Sequence, residues 1–266
     1  MRLAALDLDG TLLRRDGSIS AGTRGALRAA QARGLTLLFV TARPPRRVRL
    51  LSAASELSGV AICGSGSVLY DLKTETLLAL PRTALLRSCR LARRKLADGG
   101  ARRGVRRRDR SALRLRHALR HLTGEHELDR VDPLMRRTDA LELCREGVTK
   151  LIVQQLDWPL PELLEMTRVF ASSRASVSHS GSHCVEVTAP GVNTASALQS
   201  YCATHGIAAA EVIAFWRRAK RPSDAALGRL WRCGGERPEV LAAADLVTRS
   251  NEADGVALAL DRLGYT

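Results

Sequence analysis

The 266-residue sequence predicts an α/β fold: a parallel-sheet core, discontinuous in the chain, with a second α/β unit inserted into it. Three observations predict this. Through the first third, apolar runs of strand length alternate with amphipathic helical segments, as in βαβ units. The same alternation returns near the C-terminus. Between the two lies an Arg-rich stretch of different patterning, so the outer parts complete one sheet around an insertion.

Taken in order, Leu3 to Leu8 predicts a buried strand. Ser20 caps a helix to about Arg33, Gly34 ends it, and Leu35 to Val40 forms a second buried strand. A helix from about Pro45 to Leu57 leads to short strands at Val60 to Cys63 and Val68 to Tyr70, with hairpin-like segments to about Leu80. In the insertion, Arg-rich helical stretches precede a strand at Thr149 to Val153, a helix opened by Pro159 and Pro161, and strands near Val177 and Val185. The core resumes with a helix from Asn193 to about His205, strands at Val212 to Phe215 and Leu246 to Thr248, and a closing helix from Ala253 to Leu263. The core is therefore assigned to 1–82 and 189–266, the insertion to 83–188.

Composition bounds the function. The formal charge is +15, which would favour nucleic acid through phosphate neutralisation. Much of the excess lies in Arg102 to Arg120 and Trp216 to Arg237, and with nine aromatic residues in the chain neither stretch offers a base-stacking platform. Nucleic acid is thus not the expected partner. Six scattered cysteines, with no C-x-x-C pair, predict free thiols. No apolar run approaches the roughly 18 to 20 residues that span a bilayer, and acidic residues arrive too early for a signal peptide, so a cytoplasmic protein with no membrane partner is expected.

The strongest chemical signal is Asp7-Leu8-Asp9-Gly10-Thr11, directly after a buried strand. At the carboxyl end of a parallel strand, two carboxylates one residue apart face the usual ligand crevice of α/β sheets. An acidic turn closed by Gly10 is the bland alternative, but such a turn does not require this strand, spacing and Gly-Thr pair together. Phe39-Val40-Thr41-Ala42-Arg43 repeats the pattern, a strand ending in a hydroxyl residue, and Ile62-Cys63-Gly64-Ser65-Gly66 follows the next strand.

These segments resemble the haloacid dehalogenase superfamily, and the layout is similar to its Cof-type, type IIB large-cap phosphatases. The resemblance implies a Rossmann-like core with an inserted cap that selects a small phosphorylated metabolite, sugar-phosphate-like. It implies that Asp7 attacks phosphorus to form an aspartyl-phosphate, that Asp9 protonates the leaving oxygen and then activates water, and that Gly10, Thr41 and Arg43 bind phosphate. It also implies magnesium, held by Asp7, the backbone carbonyl of Asp9 and carboxylates of a fourth motif. Ala242 to Asp245 and Thr248 to Val256 resemble the closing segment of the family.

Two departures stand out. In Gly191-Val192-Asn193-Thr194-Ala195-Ser196-Ala197-Leu198 the lysine of the third motif is replaced by Thr194, and Lys150, beside a predicted strand of the insertion, is expected to be structural. After Phe215, where G-D-x-x-N-D is expected, stands Trp216-Arg217-Arg218-Ala219-Lys220-Arg221, with Arg217 and Arg221 in the place of the metal-binding carboxylates. Two like charges about 4 Å apart cost roughly 4 kcal/mol at an effective dielectric near 20, and about 1.4 kcal/mol is tenfold in rate. A phosphate dianion meeting Asp7 and Asp9 with neither lysine nor metal is expected to react slowly, so impaired catalysis, or a phosphate- or nucleic-acid-binding role without catalysis, is the alternative.

The genetic code offers an origin for the second departure. Synonymous codons exist for Trp216 to Arg237 that, read one base later, encode GDGQNDRPMLRWAGCGVAVGNA, and the ordinary match returns at Pro238. A compensating pair of frame errors would account for the missing motif, and local disorder or weak packing from about 216 to 237 is the expectation for such a stretch.

Overall fold

The computed structural model describes residues 1–55, 58–79, 114–116, 149–154, 159–171, 173, 175–179, 184–216, 229–233 and 245–266. In chain order the elements are β1 (Leu3–Asp7), α1 (Ala21–Ala32), β2 (Thr36–Val40), α2 (Pro45–Ser55), β3 (Val60–Cys63), β4 (Val68–Asp71), β5 (Thr76–Ala79), β6 (Arg114–Arg116), β7 (Lys150–Gln154), α3 (Leu160–Ala171), β8 (Ser176–His179), β9 (Cys184–Thr188), α4 (Thr194–Thr204), β10 (Val212–Trp216), β11 (Arg229–Cys233), β12 (Leu246–Thr248) and α5 (Gly255–Arg262). The chain divides into two compact units, Met1–Leu80 with Asn193–Thr266, and Pro81–Val192.

Local chemistry sets the helices of the first unit. The Ser20 Oγ accepts from the Thr23 backbone N–H at 2.9 Å, which caps α1, and Thr23, Ala26, Leu27 and Ala30 recur at helical spacing on its buried face. Gly34 ends it with φ +85°, while Leu35 N–H reaches back to the Ala30 carbonyl. Helix α4 begins with a reciprocal cap: Asn193 Oδ1 accepts from Ser196 N–H, and Ser196 Oγ accepts from Asn193 N–H. The closing helix α5 starts two residues later than the sequence predicts, because Asn251–Ala253 first makes a turn of 3₁₀-helix and Asp254 takes a left-handed conformation.

The eight strands of this unit run in the order β12-β11-β10-β1-β2-β3-β4-β5. Pairing from β12 through β3 is parallel, and β3-β4-β5 is antiparallel. From β1 the chain steps outward through β2 and β3 on one side and, later, through β10, β11 and β12 on the other. The crevice beyond the carboxyl ends of β1 and β10 is therefore a topological switch point, where ligands of open α/β sheets bind.

Alternation along the central strands sends residues to two cores. Ala4, Leu6, Phe39, Ile213 and Phe215 pack with Leu27 of α1 and Ala259 and Leu260 of α5. Leu3, Ala5, Leu38, Val40, Val212, Ala214 and Trp216 pack with Leu198 and Tyr201 of α4. Leu3 to Leu6 are fully buried, which explains their near-continuous apolar run.

The segment expected to pack poorly begins inside the sheet. Trp216 is the last residue of β10 and is 5% exposed, and β11, which the sequence reading did not anticipate, lies between β10 and β12 with Phe215 opposite Trp231. Arg217 to Gly228 and Gly234 to Ala244 lie outside the described residues.

In the second unit, β6-β7-β9-β8 form an antiparallel sheet. Leu151, Val153, Val177, Val185 and Val187 pack from one face against Leu163 and Ala171 of α3. The Arg102 to Arg120 stretch lies outside the described residues except for β6. No helix among the described residues is long and apolar enough to cross a membrane.

The indole Nε1 of Trp216 is buried without a hydrogen-bond partner among the described residues. Relief of an orphan donor, about 1–3 kcal/mol, offsets the apolar area lost on shortening the side chain. Trp216→Phe should therefore change unfolding free energy in urea by less than about 1 kcal/mol, whereas Phe215→Ala on the same strand should lose about 3–5 kcal/mol.

Candidate active site

The site begins where β1 ends. Asp7 is the last residue of the central strand and shares the face of Leu3 and Ala5, and Gly10, at φ +77°, turns the chain back. The N–H groups of Leu12 and Leu13 then reach the Leu8 carbonyl, and Leu12 N–H also approaches that of Asp7. This tight loop brings the Thr11 hydroxyl to donate to Asp7 Oδ2 at 2.9 Å. Thr11 is 1% exposed, so that bond is held by packing. The sequence reading gave Thr11 no role; a hydroxyl four residues after a strand-end carboxylate, across a glycine turn, was the available signal.

The loop after β2 supplies the next group. Thr41 is buried, and its hydroxyl oxygen accepts from the Arg43 backbone N–H at 3.1 Å. The guanidinium of Arg43 clasps Asp9, with Nη2 to Oδ1 at 2.6 Å and Nε to Oδ1 and Oδ2 at 3.2 and 3.1 Å. The sequence assigns Arg43 to phosphate; in the structure its fork is engaged by the second carboxylate of the motif.

A third loop closes on the second. Gly64 N–H donates to the Arg43 carbonyl and Ser65 N–H to the Thr41 carbonyl. Ser65 has φ +62°, a left-handed conformation in which asparagine is better tolerated than serine. A Cβ on Gly66, at φ +100°, would stand 2.3 Å from the Asn193 carbonyl carbon and oxygen and 2.8 Å from Thr194 N. The loop after β3 thus lies directly on the N-terminus of α4, and Thr194 sits at that contact. The structure gathers Asp7, Asp9, Gly10, Thr41, Arg43 and Thr194 at one end of one sheet.

Other candidates lie elsewhere. Lys150 Nζ is 3.2 Å from Glu186 Oε1 within the second unit, with side chains 12% and 4% exposed, so its charge is committed to a buried pair there. Arg217 and Arg221 lie outside the described residues. Asp254 accepts from Ser20 Oγ at 2.6 Å, Arg14 Nη2 at 3.1 Å and Thr23 Oγ1 at 3.2 Å, and its neighbours Asn251 and Glu252 bond the Leu13 carbonyl and Arg15 N–H. The closing segment thereby anchors the stretch that follows the Asp7 loop. The Ser20 hydrogen bond, with those of Thr23 and Arg14, holds the Asp254 carboxyl below its ordinary range.

Magnesium needs near-octahedral oxygen ligands, with one or two carboxylates among them. Asp7 and the Asp9 backbone lie together at the end of β1, Asp254 is committed to three donors, and the fourth-motif positions lie outside the described residues. No group of three His, Cys, Asp or Glu able to hold a metal occurs among the described residues. The described residues do not complete a divalent-cation site.

Residues 4–85 are similar to the haloacid dehalogenase-like hydrolases. An HMP-PP phosphatase of Yersinia pestis is 38% identical over 85 residues, which cover 32% of this chain and 31% of that relative. One from Cronobacter sakazakii is 29% identical over 222 residues, 80% of this chain and 76% of the relative. The fold is that of a subclass IIB sugar phosphatase of the superfamily, with a TM-score of 0.76, 17% identity and coverage of 100% of both chains.

Two outcomes follow for the scaffold. Gly66→Ala should lose at least about 3 kcal/mol in urea denaturation, because the new methyl group meets backbone rather than a movable side chain. Asp254 contributes stability fully above its unfolded-state value and loses it as pH falls through its lower folded value. The stability gap between wild type and Asp254→Asn should therefore be widest near neutral pH, begin to narrow as pH drops below the ordinary carboxylate value of 3.8, and vanish only below the lower folded value.

Proposed function

We propose that this chain descends from phosphatases of small phosphorylated metabolites that work through an aspartyl-phosphate in the cytoplasm, and that the chain as written is impaired. The observation that carries the proposal is the pair Asp7 and Asp9 at the end of the central parallel strand, with Thr11 on the first carboxylate and Arg43 on the second.

In this reaction the Asp7 oxygen opposite the Thr11 bond attacks phosphorus, and the P–O bond to the leaving group breaks. Asp9, in its acid form, gives its proton to that leaving oxygen. Asp9 then takes a proton from water as the water oxygen attacks the acyl phosphate, which returns Asp7 and releases inorganic phosphate. Thr41, Arg43 and the Gly10 turn hold the phosphoryl oxygens. The inserted unit, about 83–188, chooses the substrate. HMP-PP phosphatases among the relatives support a small phosphorylated metabolite as the substrate class.

Phosphoryl transfer depends mainly on positioning and charge neutralisation, which is where the chain is deficient. Thr194 replaces a lysine, and Arg217 and Arg221 stand where magnesium ligands are expected. The shifted reading of 216–237 would restore acidic residues at positions 217 and 221, and with them magnesium. It also turns RLWRC of the interior strand β11 into GCGVA, small and apolar as a strand flanked on both sides requires. Arg43 bound to Asp9, without a completed cation site among the described residues, favours a second reading for the chain as written: a phosphate-binding protein without turnover.

The coding DNA across codons 210–240 should be resequenced, and hydrolysis of p-nitrophenyl phosphate measured with and without magnesium for this chain and for the frame-restored one. The expected result is magnesium-dependent hydrolysis by the restored chain, lowered at least about a thousandfold by Asp7→Asn, and little by the chain as written. A restored chain that is inactive, or indifferent to Asp7→Asn, would sink the phosphatase proposal.

A further inference from the structure

We infer that Arg43 is a shared cation: the guanidinium edge that Asp9 occupies in the resting protein is the edge that receives a phosphate group, so anion binding and release of Asp9 are one exchange. The inference rests on the proposal that the crevice around Asp7, Thr41 and Arg43 binds phosphate, and it adds what controls the affinity of that crevice.

Three features carry it. The first is geometry. Nε and Nη2 of Arg43 form one planar two-donor edge, and both donate to Asp9. Carboxylate and phosphate engage that same fork in the same bidentate manner, so one excludes the other from it. The second is mobility of the fork without mobility of the residue. The Arg43 backbone is tied at both ends, its N–H to Thr41 Oγ1 and its carbonyl to Gly64 N–H, while the side chains of Arg43 and Asp9 are 32% and 55% exposed. An ion pair so open to water is weakly held and reachable from solution.

The third feature is the charge around it. Among the described residues, the loops that close on Asp7, at 8–13, 41–43, 64–66 and 193–194, bring one further carboxylate, Asp9, and one cation, Arg43. The next arginine along the first of them, Arg14, is bonded to Asp254. Thr194 contributes no charge. Among the described residues of these loops, an arriving dianion therefore meets one cation, and Asp9 already holds it. In this chain Asp9 sets the phosphate affinity of the pocket by competition.

The test is titration of the full-length chain with inorganic phosphate, followed by calorimetry and by phosphorus NMR, for the wild type, Asp9→Asn, Arg43→Ala and the double variant. All four should show the wild-type circular dichroism spectrum, since both side chains stand at the surface. Asp9→Asn should tighten phosphate binding by roughly fivefold or more, the factor for removing one unit charge about 4 Å away in water. Arg43→Ala should abolish binding in both backgrounds. Should Arg43→Ala fail to fold, Arg43→Lys replaces it: binding survives through the point charge, and the gain from Asp9→Asn shrinks. Equal affinity of wild type and Asp9→Asn overturns the exchange and leaves the phosphate pocket standing. Tighter binding by Asp9→Asn that ignores the loss of Arg43 also overturns it, because general repulsion alone would then explain the gain. No phosphate binding by any variant removes the pocket itself, and the exchange with it.

Discussion

Everything in the first unit depends on one strand being buried from both faces and both edges. Leu3 to Leu6 have no exposure, with β2 bonded along one edge and β10 along the other, so the first polar side chain of β1 emerges only where the strand ends. That constraint places Asp7 at the rim of the sheet, with the ends of β2 and β10 beside it. A strand so placed cannot slip by one residue, because the slip would drive Asp7 into one core and reverse the assignment of its neighbours to the two faces.

Around that fixed point the loops are laced to each other by main-chain bonds, with few side chains involved. Thr41 bonds the Ile62 carbonyl through its own N–H, Ser65 and Gly64 bond back to Thr41 and Arg43, and Gly66 lies against Asn193 at the start of α4. Such a frame survives changes of side chain better than a site built on side-chain contacts. The loops around Asp7 therefore keep their arrangement with an uncharged Thr194 at the start of α4. What such a change removes is charge, and charge governs phosphoryl chemistry. Among the described residues, the Arg43–Asp9 pair is where charge is matched at this end of the sheet.

Much of the frame was legible in the residues. The alternation of apolar and amphipathic segments located β1, α1, β2, β3, α4, β10 and α5 to within a residue or two, since burial from both faces demands uninterrupted apolar runs and Ser20, Gly34 and Asn193 punctuate the helices with their own chemistry. Strand β11 was not legible. RLWRC has neither the alternation nor the small apolar residues of an interior strand, and only its place between β10 and β12 reveals it.

The sequence by itself determined the positions of Asp7, Asp9, Thr41 and Arg43 relative to their strands, because a carboxylate or hydroxyl that directly follows a buried apolar run must surface at the strand's end. It also determined which charges are missing. Tertiary structure alone decided which groups pair. That Thr11 turns back onto Asp7, that Arg43 spends its fork on Asp9, and that Asp254 joins Arg14, Ser20 and Thr23 from more than 230 residues away depend on how loops from separate strands converge in space. No spacing along the chain encodes such distances, since they arise from the packing of the sheet and its helices.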